Sequence, residues 1–196
     1  MVDVKGHKME GLPNFCSQVK LRSEENQGAF SLLLDHGYFG VAVGLLRQEL
    51  DSLIRVSYLW REDIKVLEGE RLIKDAVEGK QWEVVTPKGK PIRLTDREML
   101  KLANYLGGWE GIVYDFGCKF IHLSNYHLYQ AVDPLQSIKP EEKKSLILYL
   151  KRYHDYPHNE ISFALVKPYL PKVMQKISEN IEFFLEELLK KYDPSR

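Results

Sequence analysis

One long helical pattern constrains the fold of this chain more than any other feature. The segment YFGVAVGLLRQELDSLIRVSYLWRE, residues 38–62, carries apolar residues that recur near the helical period. Such a stripe forms one face of an amphipathic helix, and that face has to be buried against other elements. The sequence therefore predicts a helix at the centre of the fold. Its inner face consists of Phe39, Ala42, Val43, Leu46, Leu50, Leu53, Ile54 and Leu59.

Further helical patterns predict a mainly α-helical fold, an up-and-down bundle of five to seven helices. Thr95-x-x-Glu98 is a capping box, and Pro140 stands where a first helical residue is expected. Pro168 and Pro171 should break the last helix near its start. The expected helices cover residues 23–36, 38–62, 63–77, 95–106, 109–123, 140–154 and 161–192.

The helical period is interrupted once, at residues 82–94. Two short extended runs, residues 82–86 and 91–94, flank the turn sequence Pro-Lys-Gly-Lys. This pattern predicts a β-hairpin inserted in a helical domain. We expect residues 1–22 to form an extended arm, residues 23–192 a single domain, and residues 193–196 a polar tail.

Composition narrows the classes of function. The chain has 196 residues, with 28 Lys and Arg against 28 Asp and Glu, so its formal net charge is zero. This balance argues against a broad surface for duplex DNA or an acidic membrane. The two cysteines, Cys16 and Cys118, lie far apart, and no apolar run approaches the roughly 20 residues of a membrane span. We expect a cytoplasmic protein with reduced cysteines, no cofactor and no membrane contact.

A charged stripe crosses the central helix. Arg47, Asp51 and Arg55 follow one another at intervals of four residues, so they share one helical face. The stripe is either a solvated ladder of ion pairs or the wall of a polar cleft that positions an anion. The sequence leaves both alternatives open.

The segment DFGCKFIHLSNYH, residues 115–127, contains several polar side chains within a helical pattern. Its Asp-Phe-Gly also occurs in protein kinases, but the kinase glycine-rich loop and His-Arg-Asp motif are absent from this sequence. His122 and His127 are five residues apart, which does not align them on one helical face, and Pro157 separates His154 from His158. We therefore expect no metal site here, and a bundle helix with a polar face towards a cleft.

Two patches resemble a known family. LLRQELDSLIRVSYLW and YDFGCKFIHLSNYH resemble the HEPN superfamily, in its branches of uncharacterised prokaryotic proteins. In those branches a long early helix carries an Arg followed closely by an acid, and a later Tyr-rich helix ends in a Ser and His pattern. Arg47 with Glu49 or Asp51, and residues 114–124, match these features. The resemblance covers residues 24–190 in outline and is specific at the two patches.

The resemblance implies a helical homodimer with two facing clefts. Active HEPN proteins are metal-independent ribonucleases of defence or toxin-type systems that use an Arg-x(4–6)-His motif. This chain departs from the motif, because Lys119 is the nearest basic residue before His122. Arg152 and His158 have the literal spacing, but Pro157 lies between them.

Two functions follow as alternatives. The first is an RNA- or nucleotide-directed protein, and the second is a non-catalytic helical module that dimerises or binds a protein partner. For the first, the expected catalytic residues are His122, His127 and Arg47. The expected substrate-binding residues are Asp51, Arg55, Lys119, Arg152 and His158.

Overall fold

The protein is mainly α-helical with one inserted β-hairpin, as the sequence predicts. The computed structural model describes residues 11–85, 89–102 and 106–192. Within these ranges, none of the helices combines the length and the apolar character needed to cross a lipid bilayer. The helices are α1 (Leu12–Asp35), α2 (Phe39–Trp60), α3 (Val66–Val77), α4 (Asp96–Leu102), α5 (Trp109–Ile121), α6 (Pro140–His154), α7 (Phe163–Val166) and α8 (Leu170–Tyr192). The strands are β1 (Glu83–Val85) and β2 (Pro91–Arg93).

The chain divides into two compact units. Unit 1 comprises the described residues within 1–24, 51–104 and 179–196, and unit 2 those within 25–50 and 105–178. Both units include parts of α1, α2 and α8, because the boundaries fall inside these helices. The two units are built from segments that alternate along the chain, and the single domain expected for residues 23–192 stays a prediction.

The expected extended arm is wrong for residues 12–22, which form the first turns of α1. Leu12, Phe15, Cys16 and Val19 follow the spacing of a helical face, and the first three are buried. Pro13 occupies the second helical position, where a missing backbone N–H costs no intrahelical hydrogen bond. Residues 1–10 of the expected arm and the polar tail at 193–196 lie outside the described residues.

Local signals in the sequence place most helix ends correctly. α1 ends before Gly37, whose φ of +76° suits glycine, and the amide of Tyr38 donates to the carbonyl of Leu33. Thr95 and Glu98 form the predicted capping box, in which the Thr95 amide donates to the Glu98 carboxylate at 2.8 Å. Pro140 starts α6, and a short 3-10 helix, Lys167–Tyr169, interrupts the chain between α7 and α8 as expected.

The predicted hairpin is confirmed. β1 and β2 pair antiparallel, with Val84 opposite Ile92, and the amide of Leu94 donates to the carbonyl of Trp82 at 2.8 Å. Trp82 and Leu94 are buried, whereas Ile92 is 43% exposed. The hairpin is thus anchored to unit 1 by the two apolar residues at its open end.

The core of unit 1 includes apolar side chains from α2, α3 and α8. Tyr58 packs beside Trp82 with ring centroids 6.0 Å apart, and Trp60 meets Phe184 edge to face at 5.4 Å. At the carboxyl end of α2, Lys191 of α8 donates to several main-chain carbonyls.

Unit 2 is built around an aromatic cluster. Phe120 lies within 6.5 Å, between ring centroids, of Phe116, Tyr126, Tyr129 and Phe163. These rings come from α5, the loop after it and α7. The cluster therefore fixes the end of α5 and the chain that follows. A second pair in this unit stacks Trp109 on Tyr149 at 6.4 Å.

Candidate functional site

The polar segment 115–127 is helical only as far as the end of α5. His122 has an extended backbone, with φ of −87° and ψ of 143°, and it ends the helix. Ser124 then starts a 3-10 helix, Asn125–Leu128: its hydroxyl accepts from the amide of Tyr126 and donates to the carbonyl of Lys119 at 2.6 Å. The segment is thus a helix, a turn and a second short helix, so its two histidines occupy different elements.

His122 and His127 are both exposed and are linked by one hydrogen bond. Nε2 of His127 lies 3.2 Å from the carbonyl oxygen of His122, so this nitrogen is the protonated donor. The turn after α5 brings the two residues together although their spacing does not fit one helical face. One face of unit 2 therefore presents two adjacent histidines to solvent.

Arg47, the third expected catalytic residue, is buried within unit 2. Its side chain is 4% exposed, and the guanidinium carbon lies 3.7 Å from the centroid of the Tyr114 ring. A Cβ placed on Gly117 would come within 2.7 Å of the Arg47 Cβ, so α2 and α5 are in close contact here. Arg47 therefore packs against α5 and does not present its charge to a ligand in solution.

The closest approach of α2 and α5 is at Gly117 of α5, and the two glycines of α2 itself are less crowded. A Cβ on Gly44 would meet nothing within 4 Å, and one on Gly40 would lie 3.2 Å from the ring of Tyr129. The glycine of the Asp-Phe-Gly tripeptide thus has a packing role that the kinase comparison does not suggest.

Lys119 belongs to a polar group beside the aromatic cluster of unit 2. Its ammonium donates to the Glu142 carboxylate through a short hydrogen bond, and to the Tyr126 hydroxyl at 3.2 Å. Burial lowers the pKa of Lys119, and the charge of Asp115 opposes that shift. Asp115, Lys119 and Glu142 all line a cavity of about 470 Å³. The lysine charge is balanced by neighbouring acids, which makes this cavity a poor site for a phosphate.

Asp51 and Arg55 fall in unit 1. Asp51 is half-buried, and Arg55 donates to the Asp96 carboxylate of α4 at 2.9 Å. The Arg55 guanidinium also lies 5.3 Å from the Trp82 ring and lines a cavity of about 430 Å³. Arg55 is therefore not part of a solvated ladder of ion pairs along α2, because its ion-pair partner lies on another helix.

Arg152 and His158 are exposed, one in the last turn of α6 and one in the loop after it. The Arg152 guanidinium lies over the ring of Tyr153 at 5.3 Å, and His158 packs edge to face on Tyr156 at 5.2 Å. Asp155 between them has a left-handed backbone, with φ of +55°, so the chain turns sharply after α6. The two residues have the Arg-x(4–6)-His spacing in the sequence, but the end of α6 lies between them.

His154 is a buried histidine that the sequence did not single out as a site. Its Nε2 lies 2.9 Å from the hydroxyl of Tyr149, which donates to it. Burial lowers the pKa of His154 to about 4, and the charges of Lys176 and Lys172 act in the same direction. The imidazole is neutral at physiological pH. No motif marks it, since its burial depends on how α6 and α8 pack.

Buried polar groups also include Glu49, which the resemblance pairs with Arg47. Glu49 is 0% exposed and accepts a hydrogen bond of 2.8 Å from the Asn26 amide nitrogen of α1. Among the residues that the structure describes, no three histidine, cysteine or acidic side chains group closely enough to hold a metal ion.

Comparison with known proteins finds no match: no protein-family model, no curated protein and no solved structure is similar to this chain.

Proposed function

We propose that the protein is a non-catalytic helical interaction module that binds through a surface at the end of α5. This surface, called here the 121–132 surface, consists of four exposed apolar side chains. Their exposed fractions are 53% for Ile121, 97% for Leu123, 57% for Leu128 and 59% for Val132. This concentration of exposed apolar side chains within twelve residues is the observation that carries the proposal.

The surroundings of the 121–132 surface support a docking role. The aromatic cluster beneath it holds the turn and the 3-10 helix in place, so little ordering is needed when a partner binds. The nearby Lys119 is bound to Glu142, so its charge is already balanced and contributes little to binding an RNA backbone. The exposed apolar side chains favour a protein partner.

A second copy of the chain is the partner we propose, as the HEPN resemblance implies. Light scattering on the purified protein should give about 46 kDa, twice the 22.9 kDa of one chain. Leu123→Glu should shift the protein to the monomer, because the new charge would be desolvated at the interface. Leu67→Glu is the matched control, since Leu67 is 75% exposed in unit 1 and should leave the dimer intact. A wild-type monomer at micromolar concentration would refute self-association.

A metal-independent ribonuclease is the second candidate function. It is favoured by one observation, the two exposed and adjacent histidines at residues 122 and 127. One imidazole would remove the proton of the ribose 2′-hydroxyl, while the other would protonate the leaving 5′-oxygen. The burial of Arg47 weighs against this function, because the phosphate then lacks the expected arginine contact.

Incubation with a mixed RNA pool in chelator separates the two functions. A ribonuclease would cleave RNA, and His122→Ala would abolish the cleavage. His36→Ala is the matched control, because His36 is also exposed but lies at the end of α1. The interaction module predicts no cleavage by any of the three proteins.

A further inference from the structure

Unit 2 contains a groove that neither the 121–132 surface nor the histidines use. Its volume is about 560 Å³, and its walls are α6 and the chain segment 159–161, which follows the turn after this helix. The residues that line the groove are exposed or half-buried, so a partner in solution can reach all of them. We call it the α6 groove.

Three lysines line the α6 groove and have no acidic partner among the residues that the structure describes. They are Lys143, Lys144 and Lys151. The ammonium of Lys143 donates to the carbonyl of Gln136 at 2.9 Å, and that of Lys151 donates to the side-chain oxygen of Asn159 at 2.6 Å. Both acceptors are neutral, and each of the two ammonium groups keeps further N–H donors for a ligand.

Positive charge is in excess at this groove although the whole chain is neutral. Glu160 is the acidic residue of the lining, so two positive charges remain when it is counted against the three lysines. The exposed acids next to the lining, Glu141 and Asp155, are offset by two equally exposed cations, Lys139 and Arg152. The α6 groove is therefore matched in charge to an acidic partner.

Apolar side chains lie between the lysines of the α6 groove. Leu148 is 56% exposed, and Ile147 and Ile161 are half-buried. Positions 143, 144, 147, 148 and 151 follow the spacing of one helical face, so the apolar pair on α6 separates Lys151 from the other two lysines. The groove thus offers an apolar centre with positive charge at both ends.

The two walls of the α6 groove are joined before any partner binds. The hydrogen bond from Lys151 to Asn159 links the helix directly to the segment 159–161. The hydroxyl of Tyr156 donates to the carbonyl of Glu160 at 2.8 Å, which holds the same segment from its other side. A surface that is already ordered loses little conformational entropy on binding.

We propose that the α6 groove binds an extended, acidic segment of a protein partner with the pattern acid-x-apolar-x-acid. Lys143 and Lys151 are eight residues apart, which corresponds to about 12 Å along a helix. In an extended chain, residues i, i+2 and i+4 face the same side, and i to i+4 spans about 13 Å. The two acids of the segment therefore reach lysines at both ends of the groove, while the apolar side chain between them covers Leu148.

This inference goes beyond the proposed self-association, because the α6 groove shares no residue with the 121–132 surface. An RNA backbone would also be attracted by the lysines. It has no apolar side chain, however, and it would leave Ile147 and Leu148 uncovered. The apolar centre of the groove therefore favours a peptide over RNA.

Fluorescence anisotropy with the full chain tests the proposal. The probe is a labelled peptide, Ser-Glu-Thr-Leu-Thr-Glu-Ser, and the comparison probes replace its leucine with serine, replace both of its acids with lysine, or are a single-stranded RNA of similar charge. The first peptide should bind saturably and more tightly than the other three. Absence of saturation at about 1 mM protein, or tighter binding of the RNA, would overturn the proposal.

Lys144→Glu tests the charge of the groove, because Lys144 is exposed and its replacement leaves the core intact. It should weaken binding of the acidic peptide about tenfold or more. Lys20→Glu changes the net charge by the same amount at an exposed position of α1 in unit 1, and its affinity should equal that of the wild type. Equal losses in the two variants would show nonspecific charge attraction and refute the site.

Leu148→Ser tests the apolar centre separately from the charge. It should weaken binding of the leucine peptide and leave binding of the serine peptide unchanged, because the lost contact is with the leucine side chain. Leu67→Ser is the matched control, since Leu67 is 75% exposed in unit 1. If Leu148→Ser binds the leucine peptide as tightly as the wild type does, the proposed position of the apolar side chain is wrong.

Discussion

The ammonium group of Lys191 caps the carboxyl end of α2 by donating to the carbonyl of Arg61 at 2.6 Å. It also donates to the carbonyl of Trp60 at 3.1 Å, and the hydroxyl of the next residue, Tyr192, reaches the carbonyl of Leu59 at 3.2 Å. The last carbonyls of a helix lack intrahelical partners and carry partial negative charge. A lysine from α8 thus provides what a helix usually obtains from its own C-terminal residues.

Lys191→Met should lower the free energy of unfolding by about 2 kcal/mol, because it removes charge-assisted hydrogen bonds to carbonyls at a helix end. Methionine keeps much of the apolar stem, so the loss of packing is small. Urea denaturation of the variant measures the change. Lys190→Met is the matched control: Lys190 is exposed and paired with Glu187 of its own helix, so its removal should have no measurable effect.

His154 should make stability depend on pH. An unfolded histidine has a pKa of about 6.5, whereas burial lowers that of folded His154 to about 4. Between these values the unfolded chain binds more protons than the folded protein, so the free energy of unfolding falls as the pH drops from 6.5 to 4. The loss is at most about 3 kcal/mol, and it is absent above pH 7.

His154→Gln should remove this pH-dependent loss in urea titrations at pH 7, 5.5 and 4.5. Glutamine offers a carbonyl acceptor to the Tyr149 hydroxyl in place of Nε2, so the free energy of unfolding at pH 7 should change little. His158→Gln is the control, because His158 is exposed and should leave the pH profile unchanged. A wild-type profile in His154→Gln would show that other groups cause the dependence.

Two glycines of α5 should respond in opposite directions to the same substitution. Gly117→Ala places a Cβ within 2.7 Å of the Arg47 Cβ, so it should lower the free energy of unfolding by about 1–3 kcal/mol. Gly111→Ala meets nothing within 4 Å, and it should raise the free energy of unfolding by about 0.5–1 kcal/mol through better helix propensity. Urea unfolding of the two variants compares them directly. Similar effects would contradict the close packing of α2 on α5.

The sequence predicted the features that depend on neighbouring residues. The hairpin, the Thr95 capping box and the start of α6 at Pro140 were all predicted because each has its chemistry within a few residues. The start of α1 was missed because Gly11 and Pro13 suggested an arm, although Leu12, Phe15 and Cys16 already had helical spacing.

Features that depend on residues far apart in the chain could not be predicted from the sequence. Arg47 and Tyr114 are far apart in the chain, and their stacking follows from how α2 packs on α5. Ile121 is apolar and yet 53% exposed, because α5 ends there and the chain turns. The cavity of about 430 Å³ in unit 1 is lined by Arg22, Arg55 and Arg93 from three separate segments, and only Arg55 is a site residue expected from the sequence.

The positions of the three tryptophans make the two units distinguishable by fluorescence. Trp60 and Trp82 lie in unit 1, and Trp109 lies in unit 2, stacked on Tyr149. A variant with phenylalanine at 60 and 82 would emit from unit 2 alone, while Trp109→Phe would emit from unit 1 alone. Each unit thus carries its own optical reporter, so the unfolding of each unit can be followed in the full-length chain without attaching a dye.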